Sequence, residues 1–417
     1  MENINTGDTA WVLISTALVL MMTPALAFFY GGMVRQKNIL STLNLSFITI
    51  GLISVQWVLF GYSLAFGNNV GGFIGSLNFA GLAGVSAEPG PYAAQLPHFA
   101  FVAFQMTFAI ITPALITGAF VERIRFKTFL VFTLLWATIV YDPICHWVWG
   151  DGGFFLNMGA LDFAGGTVVH IAAGMSALAI ALVIKAREGF GGHEFHEPHN
   201  IPYTVLGAGL LWMGWFGFNG GSALGANGLA ATALLNTNTA AAAACVMWML
   251  LAWREGKPSV LGIVIGAVVG LVAITPAAGF VTPMAALLIG LVAAPISYFT
   301  VKIVKGRGVD ESLDVFACHG MAGIWGALAT GIFATTTINS GAADGLLYGN
   351  PGQFVTQLIT VIAAGGFAFV VTFVLAKILD ATMGLSVSPE EEEMGLDVSE
   401  HGERVCIASF CFGTCVN

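Results

Sequence analysis

Long apolar runs constrain this chain more than any other feature of its sequence. A run of at least 18 such residues can cross the hydrocarbon core of a bilayer as a helix. Strands of a membrane barrel would instead alternate polar and apolar residues over about ten positions, and that pattern is absent. The sequence therefore predicts an all-α polytopic membrane protein, embedded in the lipid bilayer by eleven transmembrane helices. The runs lie at about 9–32, 40–66, 99–121, 128–149, 163–184, 201–222, 229–253, 258–276, 280–301, 314–335 and 353–376.

Composition agrees with this class of protein. Hydrophobic residues make up 57% of the chain and charged residues 9%, and the mean hydropathy is +0.85. Residues 1–8 lack a basic segment, and the first apolar run continues into MVRQKN without a small-residue cleavage site, so we expect the first span to be retained. The net charge of −9 comes without a basic patch, which argues against a nucleic-acid partner.

The basic residues predict the orientation of the spans, because Lys and Arg collect in cytoplasmic loops. All fourteen follow odd-numbered spans. We therefore expect the N-terminus outside and the C-terminus inside a cell membrane, the inner or plasma membrane. The basic residues are Arg35, Lys37, Arg123, Arg125, Lys127, Lys185, Arg187, Arg254, Lys257, Lys302, Lys305, Arg307, Lys377 and Arg404.

Two similar stretches each place a histidine inside an apolar, glycine-rich span. They are DFAGGTVVHIAAGMSALAIAL, residues 162–182, and DVFACHGMAGIWGALAT, residues 314–330; superposing His170 on His319 also superposes Gly174 on Gly323. With five spans per half, the second half is inverted relative to the first. Inverted repeats place a substrate path at their interface, and ionisable residues at membrane depth mark such paths.

These patterns divide the chain into a membrane domain and a tail. We predict one domain over residues 1–379, with repeat 1 at about 9–184, repeat 2 at about 201–335 and the eleventh span at about 353–376. Residues 380–417 form an acidic cytoplasmic tail, and opposite charges should draw it against the basic loops through exposed pairs of about 0–1 kcal/mol each.

Neither the cysteines nor a histidine-rich loop predicts a metal or a disulfide framework. Cys145, Cys245 and Cys318 occur singly in or near spans, and Cys406, Cys411 and Cys415 lie in a tail placed in the reducing cytoplasm. The loop GGHEFHEPHN contains His193, His196 and His199 without the H-E-x-x-H spacing or a rigid element. We expect no metal, no cofactor and no enzymatic activity.

Eight stretches of the sequence resemble the ammonium transporter family, the Amt/MEP/Rh group. The resemblance runs from the first span to the tail. It is weakest after Arg404, where VCIASFCFGTCVN is not the family's ending, and at Phe101, where some bacterial members have His. The stretches are FFYGGMVRQKN (28–38), FVAFQMTFA (101–109), GAFVERIRF (118–126), HWVWGDGG (146–153), GALDFAGGTVVHI (159–171), GWFGFNGGSA (214–223), DVFACHG (314–320) and GLDVSEHGE (395–403).

The resemblance implies a homotrimer with one pore per subunit, ammonium and methylammonium as substrates, and a PII-type regulatory protein as a partner at the cytoplasmic face. It also implies roles for individual residues. Phe108, Trp149 and Ser222 would form an outer ammonium site supported by Asp162. Phe108 and Phe218 would form a gate, and Trp215, His170 and His319 would line the pore.

Two other functions remain open from the sequence. The same pore could conduct neutral ammonia without net charge, which makes the protein a gas channel. Alternatively, the protein could be an ammonium sensor that signals through its tail. Of the three, we expect electrogenic ammonium transport.

Overall fold

A computed structural model describes residues 4–191 and 197–405 of the chain. Within these ranges the α-helices, numbered in chain order, are α1 Thr6–Gly31, α2 Ile39–Gln56, α3 Tyr62–Phe66, α4 His98–Ile116, α5 Phe126–Trp136, α6 Asp142–Trp149, α7 Phe154–Asn157, α8 Ala172–Ala181, α9 Ile201–Gly221, α10 Gly228–Glu255, α11 Val260–Ile274, α12 Pro283–Gly306, α13 Ala322–Phe333, α14 Pro351–Met383, α15 Pro389–Met394 and α16 Leu396–Ser399.

Within the described ranges, four π-helical turns interrupt or precede these helices. They are π1 Trp57–Gly61 between α2 and α3, π2 Ala137–Tyr141 between α5 and α6, π3 Gly166–Ile171 before α8, and π4 Phe316–Met321 before α13. Such turns are rare and occur frequently at functional sites. His170 lies in π3 and His319 in π4, so both histidines of the predicted repeat occupy this uncommon geometry.

Nine helices in the described ranges are long and apolar enough to cross a membrane. Two shorter apolar helices, Gly166–Ala181 and Val260–Ile274, coincide with the fifth and eighth predicted runs. The chain is therefore a helical, multi-pass membrane protein, as predicted. The nine longer helices are Thr6–Gly31, Gln36–Phe66, His98–Ala119, Phe126–Asn157, Ile201–Gly221, Gly228–Glu255, Pro283–Gly306, Phe316–Phe333 and Pro351–Met383.

The segment between the second and third spans contains short strands that the sequence did not predict. β1 Asn69–Val70 pairs antiparallel with β2 Ile74–Gly75, and β3 Pro89–Gly90 pairs antiparallel with β4 Ala93–Pro97. The hydroxyl of Tyr92, between β3 and β4, donates to the carbonyl of Phe66 at 2.9 Å. These strands hold Tyr92 against the end of α3, beside the pocket described below.

Glycines bring the two predicted repeats into backbone contact. A Cβ on Gly207 in α9 would lie 2.4 Å from the backbone nitrogen of Phe29 in α1. A Cβ on Gly174 in α8 would lie 2.1 Å from the nitrogen of Gly320 in π4. No Cβ fits at such distances, so these positions require glycine. Close packing here brings π3 and π4, and therefore the two histidines, together.

The described part of the tail folds onto the loops that carry the basic residues, and it does so partly through buried groups. Both carboxylate oxygens of Asp397 accept backbone N–H bonds from the first turn of α2, at 3.1 Å from Leu40 and 2.8 Å from Ser41. Leu396 and Asp397 are 0% and 2% exposed. The tail is therefore part of the folded structure up to this point, and its attachment does not depend on exposed ion pairs alone.

Two predictions fall outside the described residues. His193 and His196 of the histidine-rich loop are not among them, and neither are Cys406, Cys411 and Cys415 of the C-terminal segment. The third histidine of the loop, His199, has its Nδ1 atom 3.3 Å from the carbonyl of Val34.

Candidate functional site

A succession of aromatic rings leads from one surface of the protein to the two histidines. The ring of Trp149 meets that of Phe108 edge-on, with centroids 5.9 Å apart. The ring centroids of Phe108 and Phe218 are 4.3 Å apart, and those of Phe218 and His170 are 5.9 Å apart. Trp149 ends α6, Phe108 lies in α4 and Phe218 in α9, so both predicted repeats contribute to one column. Phe108 and Phe218 are about 1% and 0% exposed, and they close the column to solvent.

Trp149 opens on a pocket of about 250 Å³. Asp162 is its only acidic lining residue among the part of the chain that is described. The faces of aromatic rings attract cations and attract neutral molecules far less, so this pocket suits a small cation. Its lining residues are Phe66, Tyr92, Phe101, Gln105, Trp149, Asp162, Phe163, Ser222, Leu224 and Phe280.

Three of the four residues predicted for an outer site line this pocket, and the fourth, Phe108, contacts Trp149 beneath it. The hydroxyl of Ser222 donates to the carbonyl of Phe218 at 2.8 Å. Because that bond uses the hydroxyl proton, the oxygen lone pairs of Ser222 remain available to accept a bond from a ligand N–H.

Asp162 supports the pocket through its backbone and through its carboxylate. Its carbonyl accepts a bond from the indole Nε1 of Trp149 at 2.9 Å, which fixes the orientation of that ring. Its carboxylate accepts four backbone N–H bonds at the start of π3, from Gly165, Gly166, Thr167 and Val168, at 2.7 to 3.2 Å. Four donors stabilise the ionised carboxylate. The side chain therefore anchors the helix that carries His170.

Gln105 also lines the pocket, and sequence reasoning did not select it. Its Oε1 atom is buried and has no hydrogen-bond partner among the described residues. A buried, unpaired acceptor is costly, and a ligand N–H would satisfy it. The signal was present in the sequence: Gln105 interrupts the apolar third span four residues after Phe101 and three before Phe108, on the face that both phenylalanines share.

His170 and His319 lie in direct contact at the bottom of the aromatic column. Their Nδ1 atoms are 3.3 Å apart, and their ring centroids are 5.3 Å apart. A neutral imidazole has one donor and one acceptor nitrogen, so one ring donates this bond and the other accepts it. The Nε2 atom of His170 has no partner among the described residues.

The surroundings of the histidine pair are apolar and narrow. Trp215 stacks on His170 with centroids 5.4 Å apart, and its Nε1 donates to the hydroxyl of Thr275 at 2.8 Å. The cavity beside the rings leaves about 10 Å³ for the centre of a water-sized sphere, which is roughly the space that one water needs. It is lined by Met22, Leu26, Phe29, Ile111, Leu115, Val169, His170, Leu211, Trp215, Phe218, Val268 and His319.

A network of charged residues lies near the opposite end of this column. Arg187 pairs with Glu122 at 2.6 Å and with Asp310 at 2.7 Å, and Arg123 pairs with Asp310. Arg35 pairs with Glu122 at 2.8 Å. Burial alone would raise the pKa of Glu122, but the charges of Arg187 and Arg35 lower that pKa to about 2. These loops are thereby held in one arrangement at neutral pH.

The tail joins this network. Arg35 also pairs with Glu392 of α15 at 3.2 Å. The backbone N–H of Val387 donates to the carbonyl of Arg123 at 2.9 Å. The tail, the loop after the third span and the loop after the first span therefore form one surface.

Comparisons with known proteins agree with the predicted resemblance. The model of the Ammonium Transporter Family matches residues 10–406. The chain is 51% identical over 403 residues to the ammonium transporter of Bacillus subtilis (strain 168), with 95% of this chain and 98% of that protein covered. The crystal structure of Candida albicans Mep2 superposes with a TM-score of 0.88 at 34% identity, covering 94% of this chain and 88% of that one. A structure described as a Sensor Amt Protein superposes with a TM-score of 0.88 at 29% identity, covering 96% and 100%.

Proposed function

This chain belongs to the ammonium transporter family, and on that premise we propose that it recruits ammonium at the outer pocket, deprotonates it and conducts ammonia past His170 and His319 with net charge transfer. One observation carries the proposal. The aromatic pocket leads through Phe108 and Phe218 directly to the paired imidazoles.

Recruitment uses the ring of Trp149 together with neutral oxygen acceptors. Cation–π attraction contributes about 0.5–1 kcal/mol at exposed sites and about 2 or more when the cation is desolvated. The hydroxyl oxygen of Ser222 and the unpaired Oε1 of Gln105 accept N–H bonds from the ion. Asp162 holds Trp149 in place and adds a negative charge near the pocket. Methylammonium carries three of the same N–H donors and is a second substrate.

Deprotonation follows from the cost of moving an ion into an apolar cavity. An unpaired cation in such surroundings costs tens of kcal/mol. With the lysine amine as a stand-in, at a pKa of about 10.4, giving the proton to bulk water at pH 7 costs roughly 4–5 kcal/mol. Loss of the proton is therefore much cheaper than passage of the ion. Phe108 and Phe218 form the gate where the separation occurs.

The paired imidazoles then interact with both products of deprotonation, the ammonia and the proton. Ammonia is a donor and an acceptor, and neutral imidazole nitrogens can bond to it in either role. The bond between the two Nδ1 atoms joins the rings into one hydrogen-bonded unit, and the proton passes along this unit separately from the ammonia. Trp215 packs on His170 and holds the wall of the cavity.

We also propose the topology predicted from the sequence. Eleven spans cross the cell membrane, spans 1–5 and 6–10 form an inverted repeat, the N-terminus lies outside and the C-terminus inside. The nine long helices, the two shorter ones and the placement of all basic residues support this arrangement. The membrane domain covers residues 1–379 and the tail residues 380–417. From the family we further propose a homotrimer and a PII-type protein that docks at the cytoplasmic face.

Ammonium-evoked current in proteoliposomes of the purified protein tests the proposal. The wild-type protein should give a current that saturates with ammonium, and folded His170→Leu and His319→Leu variants should lose it. Full current in a folded His170→Leu protein would contradict the role of the histidine pair. Ammonia flux without current would instead make the protein an electroneutral channel.

A sensor is the second candidate, because one solved structure that this chain resembles is described as a Sensor Amt Protein. Absence of both current and ammonium flux, together with saturable ammonium binding, would favour the sensor over the transporter.

A further inference from the structure

Glu311 occupies, in the second repeat, the position that Asp162 occupies in the first. Each acid precedes its histidine by eight residues, Asp162 before His170 and Glu311 before His319. Each accepts a backbone N–H at the start of the π-helical turn: Thr167 donates to Asp162 at 2.7 Å, and Phe316 donates to Glu311 at 2.6 Å.

The backbone leading into the two π-helical turns agrees with this pairing. Gly165 has a φ of 109°, and Asp314, 149 positions later, has a φ of 59°. Positive φ is uncommon for a residue other than glycine. The chain therefore makes the same left-handed step before each histidine, so Glu311, rather than Asp314, is the counterpart of Asp162.

The two acids differ in how their oxygens are used. Both oxygens of Asp162 accept two N–H bonds each. In Glu311, Oε1 accepts the bond from Phe316, but Oε2 is buried and has no partner among the described residues. The residue is 3% exposed. A carboxylate with a free, buried oxygen is poorly stabilised as an anion and well suited to take a proton.

Contacts of Glu311 connect it to the wall of the histidine cavity. Glu311 bonds to Phe316, the first residue of π4, and His319 follows three residues later in the same turn. Tyr30 and Cys318 lie within electrostatic range of Glu311, and each is adjacent in sequence to a residue of the cavity wall, Phe29 and His319. The hydroxyl of Tyr30 donates at 3.0 Å to the carbonyl of Leu115, which lines the same cavity as His319.

The surroundings of Glu311 bring its pKa close to neutrality, so that the group can both take up and release a proton. Burial, and then the negative charge of Asp314, raise the pKa of Glu311 to about 8. Asp314 is itself paired with Lys305 at 2.8 Å, and Asp310 is paired with Arg123 and Arg187. Each of these neighbouring carboxylates has a cationic partner, whereas Glu311 has no ion pair in the described residues.

We propose that Glu311 is the group that accepts the proton from the histidine pair and releases it to the cytoplasm. The inference rests on the proposed charge transfer. The imidazolium N–H bond of His319 breaks as an O–H bond forms on Oε2 of Glu311, with water molecules between the two groups relaying the proton. The carboxyl then loses that proton to cytoplasmic water, and the imidazole and carboxylate return to their starting states.

Three variants separate a proton-transfer role from a purely structural one. Glu311→Gln keeps an oxygen that can accept the bond from Phe316 but cannot carry the proton. Glu311→Asp keeps an acid on a shorter side chain. Glu188→Gln is the matched control, because Glu188 is an exposed acid of a cytoplasmic loop. Each protein is purified, its folding is checked by thermal unfolding, and ammonium-evoked current is measured in proteoliposomes.

We expect Glu311→Gln to lose current by about 100-fold, the size of a typical acid–base contribution, while Glu311→Asp retains most of it and Glu188→Gln all of it. Full current in folded Glu311→Gln would overturn the inference, as would equal losses in the Gln and Asp variants, which would indicate a structural cap. If Glu311→Gln does not fold, the comparison rests on Glu311→Asp, whose retained current supports the inference and whose loss of current in a folded protein overturns it. Absence of current in the wild-type protein would instead refute the proposed charge transfer itself.

Discussion

Asp162 and Glu311 begin the same structural unit at opposite ends of the histidine pair, yet they meet different numbers of backbone donors. Asp162 accepts four N–H bonds and Glu311 one. A carboxylate with four donors is a permanent part of a helix start, whereas a carboxylate with one donor can change its protonation state at little structural cost. Repetition of a fold therefore does not require repetition of the chemistry.

The residues that surround the two acids also differ, since aromatic rings lie near Asp162 and ion pairs lie near Glu311. The outer end is built of aromatic rings, with Trp149 held by the carbonyl of Asp162. The opposite end, proposed to face the cytoplasm, is built of ion pairs, in which Arg187 joins Glu122 to Asp310. An aromatic pocket can bind a cation reversibly. A charged network fixes the loops around Glu311, the group proposed to take up and release a proton. The predictions below test this division.

The largest expected effect comes from removing the four-donor carboxylate. Asp162→Ala leaves four N–H groups at the start of π3 without their acceptor, and buried donors left in this way cost about 1–3 kcal/mol each before relaxation and water entry. We expect a loss of stability on the order of 4 kcal/mol and no ammonium current. Thermal unfolding in detergent and proteoliposome current measure the two effects.

Glu311→Ala is the matched control for that loss, because it removes the acceptor of a single N–H. Glu311→Ala should lower the free energy of unfolding by about 1–3 kcal/mol, which is less than the loss expected for Asp162→Ala. Equal destabilisation of the two variants would contradict the contrast between a fixed and a titrating carboxylate.

Some of these features could be predicted from the sequence and others could not. The apolar runs and the motifs around His170 and His319 predict the helical membrane fold and the family, and both predictions are confirmed. The side-chain roles remain predictions. The π-helical turns were out of reach, because their extra residue leaves no mark in an apolar, glycine-rich span. The unpaired Oε2 of Glu311 could not be predicted either, because the absence of a hydrogen-bond partner depends on the tertiary structure around it.

The end of the protein that holds the charged network should depend on ion pairs more than the end that holds the aromatic pocket. Arg187→Met removes the cation shared by Glu122 and Asp310 and leaves two buried carboxylates with one fewer partner. We expect the free energy of unfolding to fall by roughly 2–3 kcal/mol. This is less than for a fully buried ion pair, because Arg187 is partly exposed to solvent. The half-saturating ammonium concentration should not change. Lys185→Met, an exposed neighbour in the same loop, should lose little stability. If Arg187→Met alters ammonium affinity more than stability, the two ends are not separate.

Acid should weaken the same network. The folded pKa of Glu122, about 2, lies below its ordinary value of 4.5. The stability that Glu122 contributes is therefore fully present above pH 4.5 and is lost as the pH falls from about 4.5 towards 2. Thermal unfolding between pH 5 and pH 3 should show the loss in the wild-type protein and a smaller one in Arg187→Met. An identical pH dependence in the two proteins would remove Glu122 as its source.

The smallest effect should appear at the outer pocket and should act on affinity alone. Trp149→Leu removes a ring face worth about 1 kcal/mol to a partly desolvated cation, which corresponds to a roughly fivefold rise in the half-saturating ammonium concentration. Trp149→Phe is the sharper comparison, because it keeps a ring face and loses the bond from Nε1 to the carbonyl of Asp162. If cation–π attraction dominates, Phe should preserve most of the affinity that Leu loses. Equal losses in both variants would assign Trp149 to anchoring the Asp162 loop. If a Trp149 variant lowers the maximal current but leaves the half-saturating ammonium concentration unchanged, then Trp149 acts on a step after binding, as Glu311 is proposed to do.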